Sequence, residues 1–272
     1  MFKTKQVAVI MSVYRSDRAE FLIQAIESVL AQGDIVDLYI YRDGPVGDDL
    51  QSTLENYEMN DSVKCIYSKK NLGLAFALNA LIDSVINSTY EFIARMDSDD
   101  ICRNHRFLKQ VEFFDNNPDI SVCGTFCHEF GASYALDTKC LPTDHQSLLN
   151  FSISRCPFIH PSVMFRSSVF KTGVRYPVDT TLTEDMALWF QLLQLGFKFS
   201  NLNEPLLDYR LTEDTVSRRK GGDKAMSEFL IRFKYMFILK RVSLSNIAKI
   251  FSRLLFHILP LPILKLAYKS FR

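Results

Sequence analysis

The sequence lacks several features that would place it in particular protein classes. Its 272 residues have a net charge of only +1, so the chain as a whole has no positive excess for binding nucleic acid. It has no apolar run long enough to span a bilayer, and nothing at its N-terminus resembles a signal peptide. We therefore expect a cytoplasmic protein without a nucleic-acid partner.

The cysteines lack the spacing of a disulfide framework or a metal centre. They are scattered along a chain that is too long to need disulfide staples. Cys123 and Cys127 lie close together in sequence, but no second Cys/His pair completes a zinc site. We predict free thiols in a reducing compartment. The six cysteines are Cys65, Cys102, Cys123, Cys127, Cys140 and Cys156.

Acidic residues are missing from the C-terminal part, where no Asp or Glu follows Glu228. Apolar residues recur there at helical spacing, up to a predicted helix break at Pro260, and the charges between them are basic. Such helices suit an anionic membrane surface; packing of the same faces on the rest of the protein is the alternative. The apolar sets are Met226, Phe229, Phe233, Met236 and Phe237, then Ile247, Ile250, Phe251, Leu254 and Ile258. The basic residues are Arg232, Lys234, Lys240, Arg241, Lys249 and Arg253.

What the sequence does contain is ample material for a core, with 47% hydrophobic residues. Between residues 6 and 96, short apolar runs alternate repeatedly with segments of helical periodicity. This alternation predicts an α/β fold with a mostly parallel sheet, helices on both faces and ligands at the carboxyl ends of the strands. Ser12, Asp43 and Asp97 lie at such ends. A further helix is predicted with Leu108 on its buried face, followed by a strand ending at Gly124.

One predicted strand, from Phe92 to Met96, ends abruptly in three carboxylates, Asp97, Asp99 and Asp100. Mg²⁺ and Mn²⁺ prefer carboxylate and phosphate oxygens as ligands. Asp97 and Asp99 are therefore candidates for holding a metal ion on a diphosphate. The alternative is an acidic turn that precedes a helix and satisfies its free N–H groups.

Several segments resemble, in order, the conserved motifs of glycosyltransferase family 2, the inverting transferases of the GT-A fold. The resemblance extends from about Val7 to about Ser217, with Ser12 where many members have proline. It implies a Rossmann-like GT-A catalytic domain with a mixed sheet over residues 1–217. The basic amphipathic helices described above then form a tail over 218–272, which is a candidate for membrane association. The matching segments are residues 7–15, 27–32, 42–44, 71–79, 94–100 and 184–192.

The resemblance assigns roles to the acidic residues. It implies that Asp99 binds Mn²⁺ or Mg²⁺ on the diphosphate of a UDP-sugar, and that Asp97 contacts the ribose or the metal. Asp185 would accept the proton of the acceptor hydroxyl, with Glu184 as the competing base because neighbouring carboxylates can share a proton. The alternative for this pair is a capping, dipole-compensating helix start.

The resemblance also implies a nucleotide pocket. Asp43 would read the uracil edge, with a simple Asp-Gly turn as the alternative. Ser12 and Tyr14 would line the same pocket. Asn71 and Gly73 would let the backbone approach the nucleotide-sugar, although Gly73 equally suits a tight helix entry.

Three cationic or titratable residues complete the predicted site. Arg95 would reach the diphosphate or donor sugar, or else form an ion pair with one of the aspartates. Arg210 would bind phosphate, or else form a surface salt bridge. His160 is better explained as a hydrogen-bonded structural histidine than as a contact to acceptor or diphosphate.

The whole pattern resembles bacterial enzymes that extend O-antigen or exopolysaccharide units on undecaprenyl diphosphate. This implies transfer of a hexose, from UDP-glucose or UDP-galactose, in β linkage to a lipid-diphosphate-linked sugar at the cytoplasmic face of the inner membrane. Two alternatives stay open. A sugar-nucleotide nucleotidyltransferase would need a glycine-rich phosphate loop after the first strand, and a non-catalytic nucleotide-sugar-binding scaffold would not need the base.

Overall fold

The computed structural model describes residues 6–215 and 221–258, which form an α/β structure around one eight-stranded sheet. The strands are β1 (Val7–Val13), β2 (Val36–Arg42), β3 (Val63–Tyr67), β4 (Phe92–Arg95), β5 (Ile101–Cys102), β6 (Ile120–Phe130), β7 (Met164–Arg166) and β8 (Lys198–Arg210). The helices are α1 (Ala19–Leu30), α2 (Asp48–Glu58), α3 (Leu74–Val85), α4 (Arg106–Asn116), α5 (His145–Ser152), α6 (Ser167–Lys171), α7 (Glu184–Gln194), α8 (Gly222–Ile238) and α9 (Leu244–Ile258). A single 3₁₀ turn spans His160–Ser162.

The strands are arranged in the order β3-β2-β1-β4-β7-β6-β8-β5. Strands β1 to β4 are parallel to one another, β7 runs antiparallel between β4 and β6, and β5 pairs antiparallel with β8. This arrangement confirms the predicted α/β fold with a mostly parallel mixed sheet. Val13 pairs with Arg42, and Ile10 pairs with Arg95, so the carboxyl ends of the three central strands meet at one edge.

Buried apolar clusters cover both faces of the sheet. On β1, Ala8 and Ile10 belong to the cluster that includes α3 and α7, whereas Val9 and Met11 belong to the cluster under α1, α2 and α4. Alternate residues of a strand point to opposite faces, so a central strand buried on both sides has a continuous apolar sequence. That is why β1 is recognisable from its sequence.

Two details differ from the sequence-based prediction. The strand predicted to end at Gly124 continues as β6 to Phe130, with irregular register against β8 near Phe126. Leu108, predicted on the buried face of α4, is exposed, because the buried face turns about Phe107 and Val111.

The C-terminal helices pack on the rest of the protein through part of their apolar surface. Met236 is fully buried, and the Tyr235 ring stacks on Phe190 of α7 with centroids 4.9 Å apart. Arg232, expected among the exposed basic residues, is instead buried. It forms an ion pair with Glu228 and donates to the main-chain oxygen of Ser152 in α5 at 2.7 Å. Part of the predicted membrane face therefore belongs to the core.

Some predictions fall outside the part of the chain that the structure describes. The proposed boundary at residue 217 and the helix break at Pro260 are among them. Within residues 6–215 and 221–258, no helix has both the length and the apolar character needed to cross a bilayer. All six cysteines are free thiols, as predicted.

Candidate active site

An acidic turn directly follows β4 at the edge where the central strands end. Oxygen atoms of Asp97, Asp99 and Asp100 all lie within 4.8 Å of one another. Asp100 is fully buried, and its Oδ2 has no hydrogen-bond partner among the described residues, as expected for an atom that awaits a ligand. Three oxygen donors of this kind suit Mg²⁺ or Mn²⁺. The sequence indicated Asp97 and Asp99, and the structure adds Asp100 to the same cluster.

The carboxylates of the turn repel one another. Burial, followed by the charges of Asp97 and Asp17, raises the pKa of Asp99 to about 7. Burial and the neighbouring Asp99 hold the pKa of Asp100 well above its ordinary value. Negative charges packed this closely in a low-dielectric setting favour a bound cation or bound protons.

Asp17 is a fourth carboxylate of this region, and the sequence analysis did not identify it. Its Oδ2 accepts hydrogen bonds from the Tyr14 main-chain N–H at 3.0 Å and from the Ser98 hydroxyl at 2.9 Å. Burial, with a contribution from Asp97, raises its pKa to about 6. Asp17 therefore connects the loop after β1 to the acidic turn. Its sequence context, a polar loop without periodicity, gives no signal of this contact.

Arg95 lies beneath the acidic turn with its side chain only 1% exposed. It forms an ion pair with Asp97 and donates to the Met96 main-chain oxygen. The buried Arg106 guanidinium donates to the Arg95 carbonyl oxygen at 2.9 Å, which fixes the end of β4 from below. The ion pair that was the alternative for Arg95 is therefore present.

Arg210, at the end of β8, holds the acidic turn from the other side. Its main-chain N–H donates to Asp100 Oδ1 at 2.8 Å, and its Nε donates to the Asp99 main-chain oxygen at 2.7 Å. Its guanidinium also contacts Gln24 and lies 3.9 Å from the centre of the Phe21 ring. Arg210 thus makes these contacts and not the surface salt bridge that was its alternative role. We call this set of contacts the clamp, because it holds the acidic turn against the end of β8.

Asp43 joins the end of β2 to the loop before α3. Its two carboxylate oxygens accept main-chain hydrogen bonds from Leu72 at 2.7 Å and Gly73 at 2.9 Å. The Asn71 side chain donates back to the Asp43 main-chain oxygen at 3.1 Å. The loop approaches so closely that a Cβ on Gly44 would lie 2.7 Å from the Asn71 nitrogen. Gly73 has φ +93° where α3 begins, which fits its predicted role at a tight helix entry.

Ser12 and Tyr14 lie at the same edge as this loop. Ser12 pairs with Tyr41 near the end of β1, and Tyr14 is partly exposed just beyond the strand. Asp43 follows the parallel neighbour β2, so its carboxylate meets the same edge. The structure thus brings together the predicted nucleotide-pocket residues and the acidic turn.

Glu184 and Asp185 begin α7. Asp185 Oδ1 accepts the Met186 main-chain N–H at 2.7 Å. The N-cap residue is Thr183, whose side chain makes no capping hydrogen bond, so Asp185 is not the predicted cap; it lies in the first turn, where its charge compensates the helix dipole. Burial, together with the adjacent Asp185, raises the pKa of Glu184. The preceding Thr183 hydroxyl lies 2.8 Å from the Ser227 hydroxyl of α8, which ties the pair to the C-terminal helices.

His160 and Tyr176 form a hydrogen-bonded pair. His160 Nε2 and the Tyr176 hydroxyl are 2.9 Å apart, which confirms the expected hydrogen-bonded histidine. Burial, with Arg95 nearby, lowers the pKa of His160 well below its ordinary value, so the ring is neutral. Burial raises the pKa of Tyr176; the Arg95 charge opposes this rise, and the charges of Asp185 and Asp97 add to it.

Comparison with known proteins is consistent with this geometry. The family model described as Glycosyl transferase family 2 matches residues 8–172. An uncharacterized glycosyltransferase of Haemophilus influenzae is 32% identical over 97% of this chain and 98% of its own length. The amylovoran biosynthesis glycosyltransferase AmsE of Erwinia amylovora is 31% identical over 81% of this chain and 82% of its own.

A third relative is named for its activity. It is the UDP-Gal:alpha-D-GlcNAc-diphosphoundecaprenol beta-1,3-galactosyltransferase of Escherichia coli, 30% identical over 85% of this chain and 84% of its own length.

Solved structures share the fold at low sequence identity. Staphylococcus aureus TarS 1–349 in complex with UDP-GlcNAc superposes with a TM-score of 0.63 at 15% identity, over 93% of this chain and 72% of that one. The mannosyltransferase PcManGT of Pyrobaculum calidifontis, in complex with GDP-Man and Mn²⁺, gives 0.62 at 12% identity over 98% and 74%.

Proposed function

Because the chain belongs to glycosyl transferase family 2, we propose that it transfers a hexose from a UDP-sugar to a sugar hydroxyl on a lipid diphosphate. The transfer inverts the anomeric centre and forms a β linkage, with glucose or galactose as the favoured hexose, in the assembly of O-antigen (lipopolysaccharide) or exopolysaccharide units. The observation that supports this most is the cluster of three carboxylates at the carboxyl end of β4, together with a second carboxylate pair at the start of α7. The E. coli relative is named for UDP-Gal as its donor and a GlcNAc-diphosphoundecaprenol as its acceptor, and this name supports the choice of substrates.

The base in this proposal is Asp185, with Glu184 beside it. As the acceptor oxygen bonds to the anomeric carbon, the bond from that carbon to the UDP oxygen breaks on the opposite face. The acceptor proton passes to the Asp185 carboxylate, a step worth ~10²–10⁴ in rate when the base is well positioned. The raised pKa of Glu184 favours its protonated form, so the pair can share the proton.

The donor side uses the edge of the sheet. Asp97, Asp99 and Asp100 would hold the Mn²⁺ or Mg²⁺ ion, which supplies charge neutralisation for the leaving diphosphate when bound. Arg95 orients Asp97 through their ion pair, and Arg210 fixes the turn.

The nucleoside would lie along the loop pinned by Asp43. Each carboxylate oxygen has a further lone pair beyond its main-chain hydrogen bond, so Asp43 can still accept uracil N3–H. Ser12 and Tyr14 line this pocket, and Asn71 and Gly73 bring the backbone close to the nucleotide-sugar.

The test is UDP release from a panel of UDP-, GDP- and dTDP-sugars, with Mn²⁺ or EDTA, and with or without a synthetic diphosphate-lipid sugar. We expect metal-dependent release from one UDP-hexose that requires the acceptor. Asp185→Asn should lower turnover by ~10²–10⁴ without weakening donor binding. Asp61→Asn, an exposed aspartate away from the site, is the matched control.

Other outcomes identify the alternatives. Tight UDP-sugar binding without release for every donor and acceptor would favour a non-catalytic scaffold of the same fold. Formation of a sugar nucleotide from a sugar phosphate and a nucleoside triphosphate would favour the nucleotidyltransferase.

A further inference from the structure

Helix α8 has two apolar sides, and among residues 6–215 and 221–258 only one of them is covered. The covered side packs on α7 and α5 through Tyr235, Met236 and the buried Arg232. The other side exposes Met226 and Phe237, each 52% exposed, although both are large apolar residues. An apolar stripe that remains exposed after the core has formed indicates a second contact.

This stripe continues across to α9 and the turn between the helices. Phe233 stacks on Phe229 at 5.6 Å, and Phe251 of α9 packs edge-on against the same Phe229 ring at 5.2 Å. At the start of α9, Leu244 is 87% exposed. We call this continuous apolar area the hairpin surface; it consists of Met226, Leu230, Phe233, Phe237, Val242, Leu244 and Phe251.

The charges around the hairpin surface are mostly basic, and Asp223 in the first turn of α8 is the exposed acidic exception. Glu228, the last acidic residue of the sequence, is buried and forms ion pairs with Arg232 and Arg253. Beyond it the sequence supplies cations alone, and Lys234 and Lys240 are exposed beside the surface, whereas Lys249 lies on the opposite side of α9 from Phe251. The hairpin surface is therefore apolar, with Lys234 and Lys240 at its border.

We propose that the hairpin surface docks on an anionic lipid bilayer. Helices with exposed apolar side chains and basic neighbours lie in the interfacial plane, with the apolar groups at the acyl boundary and the lysines among lipid phosphates. A second copy of the chain fits less well, because a two-fold interface would place these lysines against one another. This inference rests on the proposed function, since a lipid-linked acceptor is anchored in the same bilayer.

Docking would also orient the carboxylates of α7. The covered side of α8 contacts α7 at two points, the Ser227–Thr183 hydroxyl pair at 2.8 Å and the Tyr235–Phe190 stack. Because Glu184 follows Thr183 directly, the bilayer-bound hairpin holds the Glu184 and Asp185 carboxylates at a fixed place relative to the membrane. An acceptor sugar on a membrane diphosphate then meets Asp185 without leaving the bilayer.

The experiment is flotation of the full chain with vesicles of phosphatidylglycerol and phosphatidylcholine, compared with phosphatidylcholine alone. We expect binding to the anionic vesicles that weakens as salt rises. Lys234→Glu with Lys240→Glu should weaken it by about tenfold or more, and Phe237→Ser with Leu244→Ser should do the same. Lys69→Glu with Lys171→Glu, the same charge change at exposed sites away from the hairpin, should leave it unchanged.

Two results would overturn the proposal. One is a flotation result in which the wild-type protein does not bind anionic vesicles, or in which all the variants bind them as well as the wild type does. The other is a dimer in sedimentation that the Phe237→Ser, Leu244→Ser variant converts to monomer, since the surface would then bind a second copy. Circular dichroism establishes that each variant is folded. Transfer to a short-chain, water-soluble acceptor, expected to be equal in all variants, separates this test from that of the proposed function.

Discussion

At the scale of single residues, the close approach of Gly44 to Asn71 gives a sharp prediction. Gly44 and Gly33 both have positive φ, +86° and +80°, so alanine at either position incurs ~1–2 kcal/mol of backbone strain. Only at Gly44 would the new Cβ meet a main-chain atom, at 2.7 Å; at Gly33 nothing lies within 4 Å. We expect Gly44→Ala to destabilise the fold more than Gly33→Ala and to displace the Asn71 loop.

Urea denaturation of the two variants measures the first effect, and titration calorimetry with UDP measures the second. UDP affinity should fall by ~10-fold in Gly44→Ala, the equivalent of about 1.4 kcal/mol. Equal stability and equal UDP affinity in the two variants would show that the loop is not held as described.

Asp17 gives a second prediction at this scale. Asp17→Ala removes the acceptor of the Tyr14 and Ser98 hydrogen bonds, and hydrogen bonds to charged groups contribute about 1.5–3 kcal/mol. We expect the KM for the donor to rise by ~10-fold while kcat changes less, because Asp17 positions the pocket and does not touch the reacting bond. Steady-state kinetics beside the exposed control Asp34→Ala decides this, and an unchanged KM would contradict it.

The residues of the site differ in how visible they are in the sequence. Asp97, Asp99, Asp43 and Glu184 stand at strand ends or a helix start, where local pattern and family resemblance both identify them. Asp17, by contrast, acquires its role only through contacts with Ser98, which is 81 positions away. Tertiary contacts over such separations leave no local periodicity to detect.

At the scale of elements, the docking of α8 depends on the buried Arg232, which pairs with Glu228 of the same helix and donates to the Ser152 main-chain oxygen of α5. Arg232→Met would leave the Glu228 carboxylate with Arg253 as its remaining ion-pair partner. Breaking a buried pair costs ~3–5 kcal/mol, and we expect a loss of ~3 kcal/mol because Arg253 stays. Guanidinium denaturation measures this loss.

Two further variants test which partner of the ion pair accounts for this loss of stability. Arg253→Met, which alters the more exposed partner, should cost less than about 1 kcal/mol. The double variant Glu228→Gln, Arg232→Met should recover part of the stability, since no unpaired charge is left buried. If the Arg232→Met variant alone were as stable as wild type, the contacts of Arg232 would not be what holds α8 in place.

Elements also differ in how predictable they are. The strands β1 to β4 and helices α1 to α4 follow from apolar periodicity, because each buries a continuous or one-sided apolar pattern. Strand β8 is not apparent, since the charged Glu204 and then Pro205 interrupt its pattern, and its register against β6 is irregular. Strand β5 has two residues, too few for any pattern.

At the scale of the whole molecule, the acidic site makes stability depend on pH. The folded-state pKa values of Asp17 and Asp99 are raised from 3.8 to about 6 and about 7. A raised pKa means that the folded state binds the proton more tightly than the unfolded state. The resulting stability is fully present below the unfolded pKa near 4 and is lost as the pH rises through 6 to 7.

We therefore expect Mn²⁺ to raise the melting temperature more at pH 8 than at pH 5.5, since it replaces the lost protons. In EDTA, Asp99→Asn should raise the melting temperature at pH 8 by ~2–4 °C, the shift that about 1 kcal/mol produces in a protein of this size. The Asp99→Asn substitution should also remove most of the rise in melting temperature that Mn²⁺ produces. Thermal scans over pH with EDTA or Mn²⁺ measure both, and a Mn²⁺ shift that is independent of pH would contradict the argument.

The clamp formed by Arg210 has a consequence for the newly made chain. Asp100 receives its hydrogen bond from a residue 110 positions later, and the strand after it pairs with β8. At the usual speed of translation, about 5–20 residues per second, the ribosome needs roughly 5–20 s to make that span. Throughout this interval the nascent polypeptide has its aspartates but no finished turn. A prematurely terminated product that ends before Arg210 therefore lacks the main-chain donor to Asp100 and carries an incomplete acidic turn.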